Sequence, residues 1–141
     1  MTKGILFPPP EDFIKKWNLH YMSKEDLVSD CDIISVHLPV LKSTINILDK
    51  PEFDRMKPTA IVINTARGSI VNQEALIDAL ITRKIAGCAL DTIDPEPMPQ
   101  DHPLIMLPEE ISERVIMTPH IAGTTDEAFS RMLRDAIDNF V

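Results

Sequence analysis

Glycine is scarce in this chain. Its 141 residues include four, Gly4, Gly68, Gly87 and Gly123, and no two are spaced to form the G-x-G-x-x-G loop that cradles a dinucleotide phosphate. Cysteine is scarcer still. Cys31 and Cys88 sit inside apolar runs, too few and too far apart for a zinc cluster or a disulfide scaffold, which makes a reducing, cytoplasmic setting the expectation. Basic residues are outnumbered, 14 against 22 acidic for a net charge of −8, so nucleic acid and anionic membrane surfaces are not expected partners. No apolar run approaches the roughly 18 residues of a membrane span. The opening MTKGILFPPP is too short in apolar residues for a signal peptide. There is no G-x-S-x-G elbow for a serine hydrolase, and the histidines show neither i, i+4 spacing nor a nearby carboxylate cluster, so no metal site is expected.

What is present is apolar content of 44%, enough for one domain with a substantial core. Branched and apolar runs alternate with helical patterns. Ile5–Phe7 is a short apolar run stopped by Pro8, Pro9 and Pro10. Residues 11–17 can form a short helix and His20–Met22 a very short strand. Ser23, with Asp26 three residues on, opens a helix. Asp32–Leu38 reads as a strand ended by Pro39, Lys50–Met56 as one or two helical turns, and Ala60–Asn64 as a strand covered on both faces. Asn72 caps a helix running to about Lys84, with Leu76, Ala79 and Leu80 on one face and Arg83 and Lys84 at its negative end. Ala86–Leu90 and Arg114–Thr118 are further strands, and residues 95–108 form a proline-rich loop. The last helix begins near Thr124 and Thr125, and Phe129, Met132, Leu133, Ala136, Ile137, Phe140 and Val141 repeat along one face. Such alternation predicts an α/β fold with a mostly parallel sheet and helices on its faces.

Ligands of an open parallel sheet bind beyond the carboxyl ends of its strands. INTARGS (63–69), ALDTIDPEP (89–97) and TPHIAG (118–123) each run from a strand into a loop that holds one reactive side chain, Arg67, Glu96 and His120. Arg67 is either a solvated turn residue or a planar fork that clamps a carboxylate bidentately. Glu96 between two prolines is a solvated loop residue or a hydrogen-bond partner that favours the protonated imidazole of His120. His120 is a strand-end histidine bonded to backbone or, with Glu96, a general acid for a substrate oxygen. Asp91 caps a loop or accepts a hydrogen bond from a carboxamide. His37 and His102 read as mainly structural. Together these groups would suffice to handle a 2-keto acid.

The segments CDIISVHLP, MKPTAIVINTARGSIVNQEALIDAL, IAGCALDTIDPEPMPQDHPL and VIMTPHIAGTT resemble the D-isomer-specific 2-hydroxyacid dehydrogenases, strongly over about residues 30–125. That family includes phosphoglycerate dehydrogenase, glyoxylate/hydroxypyruvate reductase, D-lactate dehydrogenase, formate dehydrogenase and the C-terminal-binding protein corepressors. The resemblance implies an oxidoreductase that moves a hydride between NAD or NADP and a small 2-hydroxy or 2-keto acid. It implies Arg67, Glu96 and His120 as catalytic residues. It implies Thr65, Ala66, Arg67, Asp91, His120, Ile121, Ala122 and Gly123 as contacts to the nicotinamide side of the cofactor. Glu96 speaks against a formate dehydrogenase, which has glutamine there.

Members of the family are more than twice this length, with a separate substrate domain. By resemblance, residues 1–141 are a single partial NAD-binding domain: a Rossmann-like, doubly wound parallel sheet without its first strand and glycine loop. Pro9 then falls near the position of the acidic residue that grips the ribose, and residues 124–141 begin the helix that crosses to the other domain. Read this way the chain is a fragment, inactive alone, with Asp32–Leu38 as an edge strand. That edge, the N-terminal strand and the apolar face of the last helix are expected to drive self-association, or residues before about 20 to be disordered. The alternative is a non-enzymatic interaction module of the corepressor kind, or a decayed gene product.

Overall fold

A computed structural model describes residues 10–139; the expected strand Ile5–Phe7, with Pro9, and the last expected helical residues Phe140 and Val141 lie outside them. Four short strands, β1 (Ile33–Val36), β2 (Ile61–Asn64), β3 (Gly87–Leu90) and β4 (Val115–Met117), form one parallel sheet in the order β1-β2-β3-β4. Among the described residues β1 lies at the edge of the sheet. Val36, Asn64, Leu90 and Met117 share one row of the register, so the carboxyl ends are flush. His37, Thr65, Asp91 and Thr118, one residue beyond each strand, therefore stand along a single edge.

The helices are α1 (Glu11–Lys16), α2 (Lys24–Asp30), α3 (Lys50–Phe53), α4 (Gln73–Ile81), α5 (Glu109–Ser112) and α6 (Asp126–Asp138). Their starts follow side-chain chemistry. Ser23 Oγ accepts from the Asp26 N–H, Asn72 Oδ1 from the Ala75 N–H, and Thr125 Oγ1 from the Ala128 N–H. Asp49 and Glu52 make a full capping box on α3, and Lys24 reaches Glu52 at 2.6 Å to tie α2 to it. α4 stops at Ile81, short of the expected Lys84. Arg83 turns left-handed at φ 57°, and the Arg83 and Lys84 N–H groups bond back to Leu80 and Ala79, a Schellman closure.

One core joins Val28, Phe53, Leu76, Ala79, Leu80 and Ile111 to the inward residues Ile34, Val36, Val62 and Leu90 of the sheet. Leu76 and Leu80 are wholly buried, and truncating either to alanine costs about 2–5 kcal/mol. The opposite face is open among the described residues: Ile33, Ile61 and Ile116 are 63%, 40% and 65% exposed. β2 was expected to be covered on both faces. Its neighbours follow each other in one direction across the sheet, and right-handed crossovers between such strands put every connecting helix on the same side. This half of the sheet carries one winding.

His20–Met22 is not a strand: among the described residues no neighbour offers its backbone a ladder to join. α6 buries none of its residues; Phe129, Met132, Leu133 and Ile137 are all more than half exposed. Among the described residues no helix is long and apolar enough to cross a membrane, and no group of three His, Cys, Asp or Glu side chains is placed to hold a metal ion.

Candidate active site

The carboxyl edge of the sheet carries the site, and the loop after β2 shows how. Asn64 ends that strand 1% exposed. Its Nδ2 donates to the Arg67 carbonyl at 2.9 Å, and its Oδ1 accepts from the Ala66 N–H at 3.0 Å. A single buried amide thus shapes the Thr65–Ala66–Arg67 turn. Arg67 itself is exposed. One guanidinium N–H donates to the Ala66 carbonyl at 2.6 Å, and the side chain lines a cavity of about 580 Å³ with His37, Leu38, Pro39, Val40, Thr65 and Ala66.

Gly68 follows, and its place is sterically reserved. A Cβ there would lie 2.3 Å from the Ile93 carbonyl carbon and 2.5 Å from the Asp94 nitrogen. From α4, Gln73 Nε2 donates to the Asp94 carbonyl. The loop after β3 is thereby seated on the loop after β2. It then turns back on itself: the Ile93 N–H donates to Glu96 Oε1 at 3.1 Å.

The other Glu96 oxygen, Oε2, lies 3.0 Å from His120 Nδ1. A carboxylate only accepts, so this nitrogen carries the proton. The His120 hydrogen bond, with further help from the Ile93 N–H and the charges of His120 and Arg67, holds the Glu96 carboxyl below its usual range against slight desolvation. Both side chains keep about two fifths of their surface exposed, 38% for His120 and 43% for Glu96. His120 adopts φ 51°, a left-handed conformation that costs a residue with a Cβ on the order of 1–3 kcal/mol and needs its surroundings to enforce it.

His120, Glu96 and Asp91 line one cavity of about 590 Å³, walled by Ile93, Pro97, Met98, Met117, Thr118 and Pro119. Arg67 lines the other cavity, near enough for its charge to act on Glu96. Ile121, Ala122 and Gly123 fall in the exposed turn beyond His120 and line neither cavity. His102 is buried, its Nδ1 accepting from the Leu104 N–H, in keeping with a structural histidine. His37 lines the Arg67 cavity, bonded to Ser35 Oγ at 2.7 Å. Asn64, Gln73 and Thr118 belong to the machinery of the site and were not singled out from sequence. An asparagine ending an apolar strand just before a turn was the one readable signal.

Residues 6–122 match the family described as D-isomer specific 2-hydroxyacid dehydrogenase, NAD binding domain. The chain belongs to this family. A glyoxylate reductase of Korarchaeum cryptofilum is 38% identical over 131 residues, which cover 93% of this chain and 38% of that protein. A D-lactate dehydrogenase of Treponema pallidum is 35% identical over 139 residues, covering 93% of this chain and 42% of the relative. Among solved structures, the apo D-mandelate dehydrogenase of Rhodotorula graminis has a TM-score of 0.80 at 32% identity, over 92% of this chain and 36% of that one. The D-lactate dehydrogenase of Lactobacillus jensenii, solved with NAD+, has a TM-score of 0.74 at 34% identity, over 95% of this chain and 43% of that one. The chain thus spans well under half the length of these dehydrogenases.

The cavity with Asp91, Met98, Met117 and Pro119 offers an apolar wall and an acceptor suited to a flat carboxamide-bearing ring. Phosphate-binding glycines are missing from the sequence. The residues fit the nicotinamide end of a dinucleotide.

Proposed function

We propose that this chain is the carboxyl-terminal part of the NAD-binding domain of a dehydrogenase acting between NAD or NADP and a small 2-hydroxy or 2-keto acid. When bound, the nicotinamide supplies or accepts the hydride. The chain's own residues do the rest. Arg67 orients the substrate carboxylate through its planar fork. His120 holds a proton at the nitrogen remote from Glu96, delivers it to the keto oxygen during reduction and recovers it in the reverse direction. Glu96 fixes the ring by accepting from Nδ1. Asp91 and His120 line the cavity offered to the nicotinamide side; Thr65 and Ala66 from the neighbouring cavity, and the Ile121–Gly123 turn outside both, are assigned to the same end of the cofactor by the family resemblance.

The observation that carries this reading is the 3.0 Å pair of His120 Nδ1 and Glu96 Oε2, formed across 24 residues at the carboxyl edge of the sheet. The names of the relatives, glyoxylate reductase and D-lactate dehydrogenase, support a short 2-keto acid. The 141 residues alone are expected to bind NADH weakly and to turn over no keto acid, since the reaction needs a closed, water-excluding cleft. Two free cysteines support a reducing, cytoplasmic setting. The exposed faces of the sheet and of α6 support self-association of the isolated chain, measurable by light scattering.

The decisive experiment replaces the matching segment of the Korarchaeum cryptofilum glyoxylate reductase with residues 6–122. NADH oxidation by glyoxylate, hydroxypyruvate or pyruvate is expected from the chimera and not from its His120→Gln variant. A folded chimera that binds NADH and reduces none of them overturns the reading.

A further inference from the structure

We propose that Thr118 is a positioning residue for His120, acting through the carboxylate of Asp91. The proposal rests on the role given to His120 and Glu96 above. Thr118 Oγ1 donates to Asp91 Oδ1, and the same oxygen accepts the His120 N–H at 3.3 Å. One carboxylate oxygen thus gathers both ends of the Thr118–Pro119–His120 turn. Each partner is anchored to the sheet: the Asp91 N–H donates to the Asn64 carbonyl and the Thr118 N–H to the Leu90 carbonyl, both at 2.9 Å.

This arrangement explains the backbone of His120. Its left-handed φ of 51° is unfavourable for a side chain bearing a Cβ, and Pro119 has no N–H with which to stabilise the turn. The bond from the His120 N–H to Asp91 holds that conformation, and the conformation aims Nδ1 at Glu96. For the acceptor to be in place, the Asp91 carboxylate must be held in one rotamer. The Thr118 hydroxyl does this, turning Oδ1 toward the His120 turn and leaving Oδ2 for the cavity. Without the hydroxyl the carboxylate is free to rotate, the His120 N–H loses its acceptor, and the imidazole drifts from Glu96. Thr118 is exposed, so its side chain is not needed to fill the core.

NMR on the 141-residue chain tests this without any activity, by following the Glu96 side-chain carboxyl and the His120 amide proton. In the wild type the Glu96 titration is expected below the usual glutamate range, because His120 Nδ1 donates to its carboxylate. His120→Gln is expected to raise it, which establishes the pair. Thr118→Val, which keeps the shape and removes the donor, is expected to raise it as well and to move the His120 amide proton upfield. Thr118→Ser, which keeps the donor, is expected to restore both. Should valine perturb β4, judged by the methyl shifts of Val115 and Ile116, Thr118→Ala takes its place under the same criterion. If His120→Gln shifts Glu96 but removal of the hydroxyl does not, or if serine fails to rescue, the proposal is overturned and the Glu96–His120 reading stands. If His120→Gln leaves Glu96 unmoved, both fall.

Discussion

Gly68 lies so close to the Ile93–Asp94 peptide that a Cβ would sit 2.3 Å from the Ile93 carbonyl carbon. Backbone cannot yield there as a flexible side-chain tip would. Gly68→Ala must push the loop after β3 away from the loop after β2. The expected loss of stability is about 1–3 kcal/mol, in the range of core overpacking. Urea denaturation measures it, and chemical-shift changes should concentrate at Ile93, Asp94 and Glu96.

Asn64 holds the turn that carries Arg67. Asn64→Leu keeps the volume but removes the acceptor of the Ala66 N–H and the donor to the Arg67 carbonyl. Two partners in part-buried bonds are left without them, at an expected combined cost of about 1–3 kcal/mol. The Ala66 amide should lose its protection from hydrogen exchange, while amides inside β1 and β3 keep theirs. Equal protection of Ala66 in the variant would show that the turn holds without Asn64.

The pH dependence of stability follows from the carboxylates. Burial pushes Glu52 up, but Lys24 and the Asp49 N–H prevail and hold it below its usual range. His120 holds Glu96 down, Lys84 and Lys50 lower Asp54, and Lys57 lowers Asp32. A carboxyl lowered on folding stabilises the fold above its unfolded value, and that stabilisation is lost as pH falls through the folded value. Stability should therefore be level from neutral pH down to the ordinary carboxylate range and fall below it. Glu52→Gln, at the least exposed of these pairs, should flatten part of that fall in an acid titration followed by circular dichroism.

Cysteine labelling separates the two thiols. Desolvation pushes the Cys88 thiol up to about 12, with Arg114 opposing weakly, and the side chain is 3% exposed. Iodoacetamide at mildly alkaline pH should modify Cys31, which is partly exposed, and spare Cys88 until the chain is unfolded. Mass spectrometry of the native protein should find one adduct; a second adduct on Cys88 would show that β3 opens.

In a full-length dehydrogenase carrying this segment, Arg67→Lys should raise KM for the keto acid and lower kcat, a combined cost on the order of 2–4 kcal/mol, because the bidentate clamp is lost. Steady-state kinetics decides it, and near-normal values would remove Arg67 from the substrate.

The sequence by itself determined the local events. β-branched runs made β1, β2 and β4 and a plain apolar run made β3, and Ser23, Asn72 and Thr125 capped the helices they precede, because a strand's pattern and a cap's hydrogen bond lie within a few residues of each other. It also placed Arg67, Glu96 and His120 just beyond strand ends, where a parallel sheet presents its loops. The tertiary structure decided what depends on contact across the chain. The left-handed Arg83 ended α4 early, where Arg114 donates to the Leu80 carbonyl from 34 residues away. His20–Met22 found no strand to pair with among the described residues. The sequential strand order put every crossover on one face and left Ile33, Ile61 and Ile116 open. Which oxygen of Glu96 meets His120, why residue 68 must be glycine, and what holds His120 left-handed all depend on loops 20 to 30 residues apart meeting at a flush edge. No local pattern encodes those distances; the register of the sheet does.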